Sequence, residues 1–309
     1  GKVFVITGTT SGTGFVAAQT VAKHGGEVVL LNRQSKRADE SLEKLRATVP
    51  EATFVPILCD LQDFDSVRKC AQEVIAKYDK IYCLANNAGI MATPDEATKD
   101  GYDTQMQTNH LSHFLLTAEL FPLIVKGAKE YGDARIVQHS SVARKMTENG
   151  NLEEKYFGKN GGNLGGNEGG ALSGPKMFRY AQTKLANSVF SQALHERLQA
   201  KEEYKAIRAV AAHPGVARTT LFDHMNSGLL GFLIMPIFAY TVAQGADDGA
   251  MGLIKGMMDP SAESGILYGP PKWSGKAVPH EPEPLESNAE SKRMLWEKSE
   301  EATGVKFEI

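Results

Sequence analysis

TGTTSGTGF, residues 7–15, follows directly on the apolar run Val3-Phe4-Val5-Ile6. A β-branched, apolar run of that length reads as a buried strand, and residues 13–24 read as a helix with Phe15, Val16, Ala18 and Val21 available for packing. Between them glycines fall at positions 8, 12 and 14. A strand, a glycine turn and a helix start together make an anion site: free backbone N–H groups point outward and the helix dipole favours negative charge. On this reading Gly8 allows the tight turn, Gly12 lets a pyrophosphate approach the backbone, and Gly14 permits close packing of helix on strand. Ser11, at the helix start, joins them as a cofactor-binding residue. The spacing is G-x-x-x-G-x-G rather than G-x-G-x-x-G, so the turn taken alone also fits an ordinary connection.

Working outward, strand-like and helix-like patterns alternate along the chain. Strands are expected at 27–32, 53–58, 80–85, 135–139 and 206–211, and helices at 35–49, 64–78, 103–125 and 176–199. Repeated β-then-α units mean parallel strands joined by right-handed crossovers. The expected fold is therefore α/β, a single-domain Rossmann-type doubly wound parallel sheet over residues 1–309 with helices on both faces. Such sheets bind ligands at the carboxyl ends of their strands.

Two segments break the rhythm. Residues 145–175 are glycine-rich and polar, too poor in apolar side chains to form a core, and read as a surface loop or lid. A proline-rich stretch opens the C-terminal tail, 270–309, which leads to a last helix at 288–302 ended by Gly304.

Composition sets limits. The chain has 309 residues, 42% apolar and 23% charged, ordinary for a globular protein with a substantial core. A net charge of -3 gives no electrostatic case for nucleic acid. Three cysteines, Cys59, Cys70 and Cys83, argue against a disulfide framework and are expected to be reduced core residues in a reducing compartment. The most apolar stretch, 229–242, is interrupted by Pro236 and is shorter than the ~20 residues of a spanning helix, so no transmembrane segment is expected. The chain starts Gly1-Lys2 immediately before the first strand, and any targeting leader is expected to be missing or removed.

The second strand decides the cofactor. An acid at its end, about 20 residues beyond the glycine turn, would bind the 2′-hydroxyl of NAD. This chain has Asn32-Arg33 there. Asn32 does not repel a 2′-phosphate and Arg33 can pair with one, which favours NADP(H) over NAD(H). Asp60, with Leu61 beside it, is placed to accept from the adenine amino group, although a plain turn would use the same residue. Asn86-Asn87-Ala88-Gly89 ends the fourth strand, where small residues let backbone lie against the adenosine ribose and an asparagine ties neighbouring strands.

TGxxxGxG, NNAG, Asn109, the Ser140-Ser141 pair, Tyr180-x-x-x-Lys184 and His213-Pro214-Gly215 stand in this order. In these motifs the chain resembles the short-chain dehydrogenase/reductase family over nearly its whole length. "NHLSHFLLT", "YAQTKLAN" and "AHPGVARTTL" look closest to the group of retinol dehydrogenases and the WW-domain oxidoreductase, with light-dependent protochlorophyllide reductases as neighbours. Tyr180 and Lys184 share a helix face. A nearby cation lowers a phenol from its usual ~10; Lys184 supplies one charge and oxidised nicotinamide another, so Tyr180 is expected to act as acid or base near neutral pH. The resemblance implies that Lys184 holds the nicotinamide ribose and that Ser141, with Ser140 as competitor, orients the substrate oxygen. It further implies that Asn109 distorts its helix and holds a water in a relay, and that Pro214, Gly215, Val216 and Thr219 contact the nicotinamide end. Singly, each of these residues also fits a surface or turn position. His110, His139 and His213 read as packing residues, and no metal is needed.

The stretch between Ser141 and Tyr180 is longer than in family members with short connections, so it is expected to cover the site or meet a protein partner. Residues 219–240 fall where the family builds its substrate lid; they fit an apolar pocket wall or a packed helix equally, and membrane contact of that surface is one expectation. The expected activity is hydride transfer between NADP(H) and a hydrophobic alcohol or carbonyl compound. Rival readings are a pigment C=C reductase and a non-catalytic cofactor-binding scaffold. The resemblance also implies a homodimer through the fourth and fifth helices.

Overall fold

The run before the glycine turn is strand β1, Val3–Thr7, buried along its whole length. In the computed structural model, residues 1–170, 173–215 and 245–309 are described. β1 pairs in parallel with β2, Glu27–Asn32, on one side and with β4, Cys83–Asn86, on the other. β3, Phe54–Leu58, extends the sheet beyond β2. On the other flank come β5, Ala134–His139, and β6, Ile207–Ala212. Strand order reverses between β1 and β4, which opens the crevice expected of this topology at the carboxyl ends.

Alternate residues of β1 serve opposite faces, as a period of two requires. Val3 and Val5 join the core beneath α3 (Phe64–Lys77), α4 (Thr104–Tyr131) and α5 (Pro175–Ala200). Phe4 and Ile6 join the opposite core beneath α1 (Gly12–Lys23), α2 (Lys36–Thr48) and α6 (Ala246–Met258). Both faces are covered, which is why these strands read as continuous apolar runs.

Most expected elements form where the pattern placed them. α4 is longer than expected, continuing past Pro122 to Tyr131. Pro122 is exposed, so the carbonyl its ring deprives of a partner lies on the solvent side. α4 is long and apolar enough to cross a membrane, but 72% of its apolar window is buried inside the protein, the pattern of a core helix. β4 begins only at Cys83, and all three cysteines are buried and free.

One expectation needs correcting. The glycine-rich insertion does supply core: Leu152, Tyr156, Phe157 and Leu164 are buried in the larger cluster, because a few apolar side chains suffice when an existing core receives them. The C-terminal tail is likewise integral. Leu267–Gly269 forms β7 beside β6, and Val278–His280 forms β8, antiparallel to β7. After a short turn α7, Pro284–Ser287, comes α8, Ala289–Thr303. Its Trp296 packs edge-on to Phe114 at 5.3 Å and stacks on Phe307 at 5.2 Å. Residues 179–194 of α5 are all buried by the chain's own elements, so the homodimer expected through α4 and α5 finds no open α5 face along that stretch. The apolar stretch 219–240 lies outside the described residues.

Candidate active site

A cleft of about 890 Å³ opens at the carboxyl ends of β1, β2, β3 and β4. The glycine turn forms its floor. Gly8 and Gly12 adopt φ of +70° and +58°, a region that disfavours side chains. A Cβ on Gly14 would fall 2.2 Å from the Gly8 carbonyl and 2.3 Å from Asn87 Nδ2, so Gly14 lets the turn close on itself and on β4. Ser11 is the N-cap of α1 and lines the cleft with Gly8 and Gly12.

Asn87 holds this floor in place. Its amide donates to the carbonyls of Thr7 at 2.8 Å and Gly8 at 3.0 Å, while its oxygen accepts from Thr13 Oγ1 at 3.1 Å and lies 2.8 Å from His139 Nδ1. The His139 proton therefore sits on Nδ1. Burial, aided by Lys184, holds that imidazole down at about 3, so it is neutral. This is the strand-tying asparagine that the sequence suggested.

Asn32 lines the cleft and has a structural task as well. Its oxygen accepts from the Thr9 amide at 2.9 Å and its nitrogen donates to Thr9 Oγ1 at 2.8 Å, so it braces the glycine turn. Arg33 is exposed at the cleft rim. Arg37, on the first turn of α2, lines the same rim and was missed; its spacing of four from Arg33 was the available signal. Asp60, Leu61, Ala88 and Gly89 line the cleft as expected, and one Asp60 oxygen accepts from the Gln62 amide at 2.9 Å.

At the far end of the cleft stand Tyr180 and Lys184 of α5, both nearly inaccessible. The Ser141 hydroxyl stands near enough to the Tyr180 phenol to favour its ionised form. Ser140 is otherwise committed: its hydroxyl donates to the Lys184 carbonyl at 2.7 Å and accepts from Ser188 Oγ at 2.9 Å. Lys184 Nζ donates to the His139 carbonyl at 3.0 Å. Asn109 lies behind the cleft wall, inside a π-helical turn, Gln107–Leu111, that interrupts α4. Its side chain clamps Ile90, accepting from the amide at 2.8 Å and donating to the carbonyl at 2.9 Å, and also donates to Thr183 Oγ1 at 2.9 Å. The expected helix distortion is present.

The acidification expected of Tyr180 calls on oxidised nicotinamide as well as Lys184, and in the chain alone the balance runs the other way. Burial pushes its pKa up to about 12, against the lowering from Ser141, and burial also brings Lys184 down to about 8. Desolvation at this depth disfavours the charged form of both groups. Pro214 lines the cleft, and Gly215 follows it with φ +64°. Val216 and Thr219 lie outside the described residues. Met91, Ala143 and Met177 form a small apolar cluster around Tyr180, separate from the two main cores. Among the described residues no three metal-ligating side chains converge.

A glycine-floored cleft at the switch point of a doubly wound sheet, with a buried tyrosine and a buried lysine one helical turn apart at one end, defines an oxidoreductase using a nicotinamide cofactor. The comparisons agree. Residues 2–152 match the short chain dehydrogenase family. An uncharacterized oxidoreductase of Schizosaccharomyces pombe is 38% identical over 242 residues, spanning 78% of this chain and 67% of its own. Retinol dehydrogenase 12 of Homo sapiens is 29% identical over 311 residues, spanning 100% of this chain and 88% of its own. The crystal structure of an uncharacterized protein from Mycobacterium paratuberculosis superposes with a TM-score of 0.73 at 28% identity, covering 100% of this chain and 95% of that one. The chain belongs to the short chain dehydrogenase family, near the retinol dehydrogenases, and is an oxidoreductase acting on CH–OH and C=O groups.

Proposed function

We propose that residues 1–309 act as one NADP(H)-dependent domain that passes a hydride between nicotinamide and a hydrophobic alcohol or carbonyl compound, with Tyr180 as acid/base. The observation that carries this reading is Tyr180 beside the buried Lys184, in one cleft with the glycine turn.

The residues present fit the cofactor. A side chain at Gly8 would meet Ala88 at 2.8 Å, so the floor is kept bare where a pyrophosphate would rest on backbone N–H groups. The Lys184 ammonium is buried, and His139 is its one hydrogen-bond acceptor among the described residues, which suits it to a ribose diol. Arg33 and Arg37 suit a 2′-phosphate, and Asp60 an adenine amine. Pro214 and Gly215, with Val216 and Thr219, suit the carboxamide end. When bound, the cofactor supplies the hydride.

The protein's part is the proton. Tyr180 is protonated in the free chain and so is ready to donate to a carbonyl oxygen that Ser141 orients. Positive charge brought into the cleft by oxidised cofactor stabilises the phenolate needed for the reverse direction. Asn109 holds Ile90 and the segment after Gly89, keeping the cleft wall in register with α5. The apolar Met91 and Met177 beside Tyr180 suit a hydrophobic substrate of irregular shape.

The test is oxidation of NADPH and NADH with aliphatic, aromatic and retinoid aldehydes, comparing wild type with Tyr180→Phe. NADPH-dependent turnover that drops by about 10²–10⁴ in the variant is expected. Equal rates in the two proteins would remove Tyr180 from the chemistry, and preference for NADH would overturn the cofactor assignment.

A further inference from the structure

We infer that Arg144 is a positioning residue for Ser141, fixed from the C-terminal tail by Glu286. The inference rests on the proposed role of Ser141. Ser141 opens a short 3-10 turn, Val142–Lys145, with its hydroxyl accepting from the Ala143 amide at 3.2 Å. Arg144 doubles back on the same residue. Its guanidinium donates to the Ser141 carbonyl at 3.2 Å, while its Nε donates to Glu286 Oε1 at 2.6 Å and Nη2 lies 3.4 Å from Glu283 Oε1. The side chains of Arg144 and Glu286 are each 3% exposed.

Glu286 is itself fixed. Its second oxygen accepts from the Glu283 amide at 2.9 Å, closing a capping box around α7. Both carboxylate oxygens are thus spent, one on the tail backbone and one on Arg144. A buried ion pair gains little stability over an apolar pair of the same shape, but removing one partner strands a charge. What this one does gain is geometry: a fork of fixed donors holds the Ser141 backbone and the turn that packs on Tyr180 through Ala143.

The experiment is a double-mutant cycle on the full chain, with NADPH and nitrobenzaldehyde as probes. Glu286→Gln keeps the size but weakens the grip on Arg144. It is expected to lower kcat about tenfold, leave the Kd for NADPH within twofold, and have no further effect in a Ser141→Ala background, where no hydroxyl remains to misplace. Glu283→Gln, at the half-exposed outer partner, gives the same pattern more weakly and serves should Glu286→Gln not fold. Wild-type kcat in these variants, or an undiminished loss in the Ser141→Ala background, overturns the positioning role. A wild-type protein that turns over no carbonyl compound overturns instead the functional reading beneath it.

Discussion

His113 Nδ1 lies 3.0 Å from the main-chain oxygen of Asn109, and His113 Nε2 lies 2.9 Å from Thr7 Oγ1. A carbonyl only accepts, so the proton is on Nδ1 and Thr7 donates to Nε2. Thr7 Oγ1 in turn accepts from the amides of Asn87 at 2.9 Å and Ala88 at 3.0 Å. One neutral imidazole therefore joins the π-turn that carries Asn109 to the end of β1 and the start of the cofactor cleft.

His113→Leu fills the space but leaves the Thr7 hydroxyl and the Asn109 carbonyl each short of a buried partner. Each loss costs about 1–3 kcal/mol. The expected outcome is a lower urea midpoint together with a fall in kcat larger than any rise in KM for NADPH. A variant as stable and active as wild type would show that the bridge is incidental.

Arg33 and Arg37 offer a paired test of cofactor choice. Alanine at either position is expected to raise the KM for NADPH about tenfold, equivalent to ~1.4 kcal/mol. The KM for NADH should stay unchanged, because it lacks the 2′-phosphate that both guanidinium groups would meet. Parallel effects on the two cofactors would mean that these arginines act on the cleft as a whole.

Four buried histidines predict the acid limit of stability. An unfolded imidazole titrates near ~6.5. In the folded chain burial holds His113 down to about 4 and His110, His139 and His213 down to about 3. Their folded values are depressed, so stability is full above the unfolded value and is lost as pH falls towards the folded ones. Each contributes a slope of up to about 1.4 kcal/mol per pH unit. Asp103, pushed up to about 6 by burial, opposes this over part of the window, but it is one group against four. The urea midpoint should drop steeply from pH 6.5 to pH 4.5, less so in His110→Gln; a flat profile would contradict it.

Local signals made much of this legible. The strand, turn and helix around Gly8 follow from a period of two, turn glycines and a period of 3.6, all carried by adjacent residues. The spacing of Tyr180 and Lys184 marks one helix face by the same logic. What could not be read depended on contacts between distant segments. β7 and β8 are three residues each and exist because β6 offers an edge. The direction of the Tyr180 shift depends on how deeply α5 is buried. Arg144 meets Glu286 only once the tail has returned across the molecule.

The insertion shows the same limit and supplies the sharpest test. Its loop at 162–166 is wound around Asp95, whose carboxylate accepts from the amides of Gly162 at 3.0 Å, Leu164 at 2.8 Å and Gly166 at 2.8 Å. Arg179, fully buried, lies 3.7 Å from that carboxylate and donates to the carbonyls of Leu164 at 3.3 Å and Gly166 at 2.9 Å. Asp95→Asn turns an acceptor into a donor facing backbone N–H groups and removes one of the two carboxylates beside Arg179, leaving Asp103 at 3.4 Å. Each backbone N–H left without its buried acceptor costs about 1–3 kcal/mol. The expected result is a lower melting temperature and faster hydrogen exchange at Gly162, Leu164 and Gly166 than at the strand amides. Because Arg179 immediately precedes Tyr180, kcat should fall with it. Exchange at those three amides no faster than in wild type would mean that the loop holds its shape without the carboxylate.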